Sequence, residues 1–140
     1  MSEKNKINNK KEISQEEQQE LIFRLSMFEQ QIQQLQEQIN AVEKGIEELK
    51  SLDNGLDEIK QGVGKEILAP LGRGVFVKTK LESEKLTVDI GGKNFVEKSV
   101  PDTKSIIEDQ ITKLNSVKKD LTRNLEQMSQ EMSEMVSGLS

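Results

Sequence analysis

The chain has 140 residues, of which 33% are hydrophobic, 3% aromatic and 32% charged, and its formal net charge is -5. Globular domains are roughly 45–50% apolar, so this composition favours long helices with narrow apolar seams, and the acidic balance disfavours nucleic acid as the main partner. The chain has no histidine and no cysteine, which removes the usual general base, the thiolate nucleophile and the main transition-metal ligands; we therefore expect no enzyme activity, no cofactor and no metal site.

The chain begins with a polar segment, residues 1–13, which is rich in Lys and Asn and has no apolar periodicity. This segment predicts a mobile tail. Ser14 follows, with Glu17 three positions later, and this spacing is typical of a capping box at a helix start. We predict a first coiled-coil helix over residues 14–63.

Apolar residues in the first helix recur at alternating steps of four and three, which is the spacing of a coiled-coil seam. The residues at these core positions are Leu21, Leu25, Phe28, Ile32, Leu35, Ile39, Val42, Ile46 and Leu49. The apolar series then continues as Leu52, Leu56, Ile59 and Val63, with two successive steps of three. That irregularity predicts local overwinding and a shift of the seam after Leu49.

Residues 64–98 change to a period of two and contain two strand-turn-strand patterns, which predict two β-hairpins in tandem. Four short strands cannot bury a sheet face alone, so we expect them to assemble with other subunits into a barrel-like body. The residues expected at these contacts are Leu68, Val75, Val77, Leu81, Leu86, Val88 and Ile90. The alternative is that the helices fold back over the strands within one chain.

A second helix is predicted over residues 99–140, with Ser99 as its cap and Pro101 in its first turn. Its seam residues are Val100, Ile107, Ile111, Leu114, Leu121, Leu125, Met128, Met132, Met135 and Leu139. Lys104 and Lys118 occupy the two core positions that this series leaves open. Such lysines either fix register or partner choice, or extend their charged ends into solvent.

Two helices of comparable length joined by a β insert must run antiparallel if they pair with each other. The fold class is therefore α+β, a long antiparallel two-helix coiled coil joined by two hairpins. Pairing Gly62 with Val100 predicts that the numbers of facing residues add up to roughly 162.

Apolar residues outside the seam collect in what we call the tip region, residues 21–28 of the first helix and 128–139 of the second. An exposed apolar patch of this kind predicts a binding surface, although its methionines could simply be seam residues. The residues assigned to this surface are Leu21, Ile22, Phe23, Met27, Phe28, Met128, Met132, Met135, Val136 and Leu139.

The sequence has no apolar run of transmembrane length and no apolar core of a secretory signal near residue 1. These features predict a soluble, cytoplasmic protein without a membrane partner.

The central segment contains residues 66–78, EILAPLGRGVFVK, and the later segments 88–92, VDIGG, and 96–99, VEKS. These three segments resemble the two-hairpin linker of the archaeal type of the prefoldin alpha family. The resemblance implies a hexamer of two alpha-class and four beta-class prefoldin subunits, with a β-barrel body and six coiled-coil tentacles. Such an assembly binds unfolded client proteins at the tips without ATP and passes them to a group II chaperonin. The alternative is a structural coiled-coil scaffold or homo-assembling filament subunit without client binding.

Overall fold

The computed structural model describes residues 14–138, so the predicted tail, residues 1–13, and Leu139 lie outside the described residues. Two long helices flank four short strands. In chain order the elements are α1 (Gln15–Ile59), β1 (Glu66–Gly72), β2 (Val75–Lys80), β3 (Leu86–Asp89), β4 (Phe95–Lys98) and α2 (Val100–Ser137).

The chain divides into two compact units, which we describe separately. Within the described residues, the helix-pair unit comprises residues 14–41 and 118–138. The hairpin unit comprises residues 42–117, with the end of α1, the four strands and the start of α2.

Both helix starts are capped as the sequence predicts. The backbone N–H of Glu17 donates to Ser14 Oγ at 3.2 Å, and that of Asp102 donates to Ser99 Oγ at 3.2 Å. Each bond satisfies an N–H group that has no partner inside its helix.

The C-terminal end of α1 lies at Ile59, four residues before the predicted Val63. Gln61 has a positive φ of 58°, which breaks the helical path. Gly62 follows, and a Cβ built there would lie 3.0 Å from the Ile59 carbonyl oxygen. The chain therefore leaves the helix through a tight turn in which a side chain at residue 62 would crowd the last carbonyl groups of α1.

The helix-pair unit is built on the predicted heptad seam. Every seam position from Leu21 to Ile39 on α1, and from Lys118 to Met135 on α2, is buried or half-buried. Residues 31–38 of α1 and 124–131 of α2 line one groove, and their numbers add up to 162 when paired in opposite order. The antiparallel register predicted from the sequence is thus confirmed in this unit.

In the hairpin unit the heptad of α1 continues as far as Leu56, so the predicted seam shift directly after Leu49 is wrong. Leu52, which the sequence analysis placed in the series, is 51% exposed. Asp53 instead occupies the next core position and is half-buried, and Leu56 follows it with only 4% exposure. The prediction failed because it assumed an apolar residue at every seam position, whereas the structure places the polar side chain of Asp53 there.

The core of the hairpin unit joins both helices and the second hairpin. Leu56 of α1 clusters with Val100 and Ile107 of α2, and these three side chains are 3–4% exposed. Four half-buried side chains pack against this cluster: Leu49, Ile59, Leu86 and Ile111. Because Leu86 belongs to β3, one face of the second hairpin covers helices of its own chain.

The strands form two separate antiparallel hairpins, β1 with β2 and β3 with β4, as predicted. Arg73 and Gly74 connect β1 to β2 with φ angles of 50° and 78°. Two positive φ angles in a two-residue connection are typical of the turn that matches strand twist. The β1–β2 ladder extends by one bond pair, from Gly64 N–H to Leu81 O at 2.8 Å and from Leu81 N–H to Lys65 O at 3.0 Å.

Candidate functional site

The predicted off-seam residues of the tip region lie exposed on the helix surface. The exposed fractions of Ile22 and Phe23 are 66% and 64%, and those of Met27 and Val136 are 45% and 49%. Three of the four lie within six residues at the start of α1. An apolar surface therefore remains there that the other described residues do not cover.

The other predicted tip residues belong to the seam. Leu21 and Phe28 on α1, and Met128, Met132 and Met135 on α2, are half-buried. They pack in the seam, and only part of the surface of each side chain is open to solvent. Leu139 lies outside the described residues.

A groove of about 680 Å³ opens between the two helices in the tip region. Its apolar side chains are Met27, Phe28 and Met135. The polar side chains that line it are Arg24, Gln31, Glu131 and Glu134. The volume falls within the range of roughly 300–1,000 Å³ that ligand-binding clefts occupy.

The charges around this groove are unequally compensated. Arg24 Nη2 lies 3.4 Å from Glu20 Oε1, one turn earlier on the same helix. Among residues 14–138, the carboxylates of Glu131 and Glu134 form no ion pair. The groove therefore combines an apolar floor with two carboxylates that no basic side chain of residues 14–138 pairs.

A second groove of about 340 Å³ adjoins the first, and Gln31 and Glu131 line both. Amide side chains dominate its walls: Gln31, Gln34, Gln38, Asn124 and Gln127. Amides both donate and accept hydrogen bonds, so this wall can pair with the backbone of an extended peptide.

The sequence analysis missed the polar residues of both grooves because it selected apolar side chains only. A positional signal could have found them. Arg24, Gln31, Glu131 and Glu134 each precede a seam residue by one position. In an antiparallel pair these positions lie on one flank of both helices, so the heptad itself places them side by side.

The predicted assembly residues divide into an exposed and a half-buried group. Leu68, Val75, Val77 and Ile90 are 40–61% exposed, whereas Leu81, Leu86 and Val88 are half-buried. Leu86 contacts the chain's own core.

The two faces of the first hairpin are both apolar. Leu68 pairs with Lys78, whereas Val77 pairs with Ala69, so Leu68 and Val77 lie on opposite faces. Phe76 shares the face of Leu68 and is 57% exposed. The sequence analysis did not select Phe76 because it followed a single alternating face.

A polar cluster bridges the helices in the hairpin unit. Lys104 Nζ donates a hydrogen bond to Asp57 Oδ1 and lies 3.8 Å from Asp53 Oδ1. The hydrogen bond to Asp57 raises the pKa of Lys104, and the same bond lowers the pKa of Asp57. Lys104 is thus held between two carboxylates of α1.

The part of the chain that the structure describes, residues 14–138, contains no group of three or more Asp, Glu, His or Cys side chains that could hold a metal ion. Within the same residues, neither helix has a segment both long enough and apolar enough to cross a membrane.

Comparison with protein families gives a match over most of the chain. A family model described as prefoldin subunit matches residues 28–140. The prefoldin subunit alpha of Methanococcus aeolicus is 37% identical over 89 residues, which cover 62% of this chain and 60% of that relative. The prefoldin subunit alpha of Methanobrevibacter smithii is 30% identical over 86% of this chain and 81% of that relative.

The fold also matches a solved structure. A chain of filamentous PFD from Methanocaldococcus jannaschii, determined by cryo-EM, superimposes with a TM-score of 0.70. The match covers 81% of this chain and 95% of that chain, at 24% sequence identity.

Proposed function

This chain belongs to the prefoldin family of chaperone subunits, as an archaeal alpha-type member, and we propose that it holds unfolded client proteins at its tip region without ATP and without catalysis. The partners that we propose are beta-class prefoldin subunits, in an assembly of two alpha and four beta subunits, and a group II chaperonin that receives the client.

The exposed apolar surface at the start of α1 carries this proposal. Phe23 and Met27 lie outside the seam and are 64% and 45% exposed, so the helix pair does not need them for its own packing. Unfolded proteins expose apolar side chains, and methionine adapts to many partner shapes because its side chain is unbranched and flexible. Aromatic side chains add contact area with few rotatable bonds.

The test replaces both Phe23 and Met27 by serine, in the chain assembled with a beta-class subunit. We expect the concentration that half-suppresses aggregation of a denatured test protein to rise about tenfold, because losing two apolar contacts costs about 1.4 kcal/mol or more. Light scattering measures suppression, and sedimentation velocity measures assembly.

Leu52→Ser with Val117→Ser is the matched control, since these side chains are 51% and 45% exposed but lie outside the tip region. We expect the control to retain full suppression. Equal losses in the two double variants, or no loss in Phe23→Ser with Met27→Ser, would contradict the tip assignment.

Exposed strand residues support the proposed assembly. Both faces of the β1–β2 hairpin carry exposed apolar side chains, with Leu68 and Phe76 on one face and Val77 on the other. An isolated two-stranded hairpin is marginally stable in water. Burial of these faces by neighbouring subunits in a barrel-like body would remove this apolar surface from water.

Delivery to a chaperonin is a separate step with its own measurement. A client held by the assembly and labelled with a fluorophore should transfer to an added group II chaperonin, which fluorescence correlation detects as slower diffusion. Persistent association of the client with the small assembly would contradict delivery while leaving client binding intact.

A second candidate function is a homo-assembling filament subunit without client binding. The description of the Methanocaldococcus jannaschii fold relative as filamentous favours it, and so do the uncovered hairpin faces of this chain. Sedimentation of the chain alone and with a beta-class subunit separates the candidates, because a homo-filament grows without the partner. Growth of long polymers by the chain alone, with no suppression of aggregation, would support the filament.

A further inference from the structure

We propose that the groove between the helices in the tip region prefers client segments in which lysine or arginine lies next to large apolar residues. This inference rests on the proposed client binding and adds a chemical selectivity to it. The occupant is an extended, unfolded segment with both apolar and cationic side chains.

The apolar part of the segment fits the groove floor. Met27, Phe28 and Met135 form that floor, and the volume of the groove is about 680 Å³. Met27 is 45% exposed, and the exposed side chain of Phe23 lies one turn earlier on α1. A large aliphatic or aromatic side chain entering the groove would cover surface that the single chain leaves open to water.

The charge of the groove determines which client residues are favoured next to that apolar side chain. Glu131 and Glu134 line the groove and form no ion pair within residues 14–138. Among the described residues that line the groove, Arg24 is the only basic one, and Glu20 already pairs with it. A lysine or arginine of the client therefore meets unpaired carboxylates, whereas an aspartate or glutamate meets like charge.

The wider charge distribution acts in the same direction. Residues 15–31 and 128–138 contain six glutamates and one arginine, and the balance stays acidic when the four lysines and two glutamates of residues 1–13 are added. An acidic field of this kind attracts cationic segments and repels acidic ones before contact, and salt screens both effects over about 10 Å at 0.1 M.

The amide wall of the adjoining groove explains why an extended segment fits. Gln31 and Glu131 line both grooves, so a peptide leaving the apolar floor passes directly along the amides. Gln34 and Asn124 can pair with backbone N–H and C=O groups of any sequence. The amides then contribute affinity without selectivity, and the carboxylates supply the selectivity.

The experiment compares two fluorescent peptides with the same apolar centre, one flanked by lysines and one by glutamates. Fluorescence anisotropy measures their binding to the full chain assembled with its partner subunit. We expect the lysine peptide to bind about three to tenfold more tightly at low salt, as exposed charge pairs allow. The preference should shrink as salt is raised.

Two variants assign the preference to the groove. Glu131→Gln with Glu134→Gln should remove most of the preference of the assembly for the lysine peptide. Glu47→Gln with Glu48→Gln makes the same change of charge at exposed positions of α1 outside the groove and should leave the preference unchanged.

Equal binding of both peptides by an assembly that suppresses aggregation would overturn the selectivity and leave the proposed function standing. An equal loss of preference in both variant pairs would also overturn it, since net charge alone would then be responsible. An assembly that binds neither peptide and suppresses no aggregation would refute the proposed function, and the selectivity with it.

Discussion

Lys104 is a charged residue at a core position of the α2 heptad. It donates a hydrogen bond to Asp57 and faces Asp53, whose Oδ1 atom is buried without a hydrogen bond. A polar core residue lowers the stability of a coiled coil but penalises registers that separate it from its partner. We therefore expect Lys104 to favour the register that places it against Asp53 and Asp57.

Replacing Lys104 with leucine should destabilise the chain although leucine is apolar. The substitution leaves Asp53 in the seam without a facing cation, and an unpaired, partly buried carboxylate is unfavourable. We expect the Tm to fall by roughly 5 °C, measured by circular dichroism at 222 nm. The double variant Lys104→Leu with Asp53→Leu should recover the wild-type Tm or exceed it. A double variant less stable than Lys104→Leu would contradict this account.

The effect of Lys104→Leu should depend on pH. The hydrogen bond to Lys104 lowers the pKa of Asp57 in the folded chain, so its stabilisation is present above the ordinary aspartate pKa and is lost as pH falls through the lowered value. The pKa of Lys104 is raised in the folded chain. Its stabilisation is therefore present below the ordinary lysine pKa and is lost as pH rises through the raised value. The Tm difference between wild type and Lys104→Leu should thus be constant near neutral pH and shrink in strong acid. A difference that persists unchanged in acid would exclude the charge pair as its cause.

The first hairpin exposes apolar side chains on two faces, and this is the element that most needs a partner. Phe76 and Leu68 lie on one face, and Val77 lies on the other. A neighbouring subunit that covers only one face leaves the other in water. Substitutions on opposite faces therefore report separately on which face is buried in the assembly.

Phe76→Lys and Val77→Lys test the two faces of the hairpin. A lysine in the centre of an interface should weaken association by about 2 kcal/mol or more, or roughly thirtyfold. We expect each variant to lose assembly with a beta-class subunit in light-scattering chromatography while keeping its helix content. Lys78→Ala, at an exposed position of the same strand, is the control. Normal assembly by one lysine variant would show that its face stays in solvent.

Sequence periodicity predicts some elements better than others. The α2 seam could be predicted from Val100 to Met135 because apolar residues recur there at regular steps. Asp53 could not, since a polar residue in a seam gives no apolar signal and the neighbouring Leu52 supplied a false one. The groove charges depend on ion pairs such as that between Arg24 and Glu20, and side-chain geometry rather than spacing decides those.

At the scale of the whole molecule, the exposed area of one tip region is small. Ile22, Phe23 and Met27 offer a few partly exposed side chains, and single contacts of this kind bind weakly. A client held by several tips at once gains effective concentration, so that weak contacts add up to useful affinity. Client capture should therefore depend on how many intact tips each assembly carries.

Mixed assemblies test this dependence. Wild-type chain and the Phe23→Ser, Met27→Ser variant are mixed in equal amounts before assembly with a beta-class subunit. If each assembly holds two alpha subunits, as we propose, random mixing gives about a quarter of the complexes two intact alpha tips. Cooperative capture should fall towards that fraction, whereas independent tips retain about half. Aggregation suppression across a range of mixing ratios distinguishes a curved from a linear dependence. A linear dependence would mean that each alpha tip holds its client without help from the other.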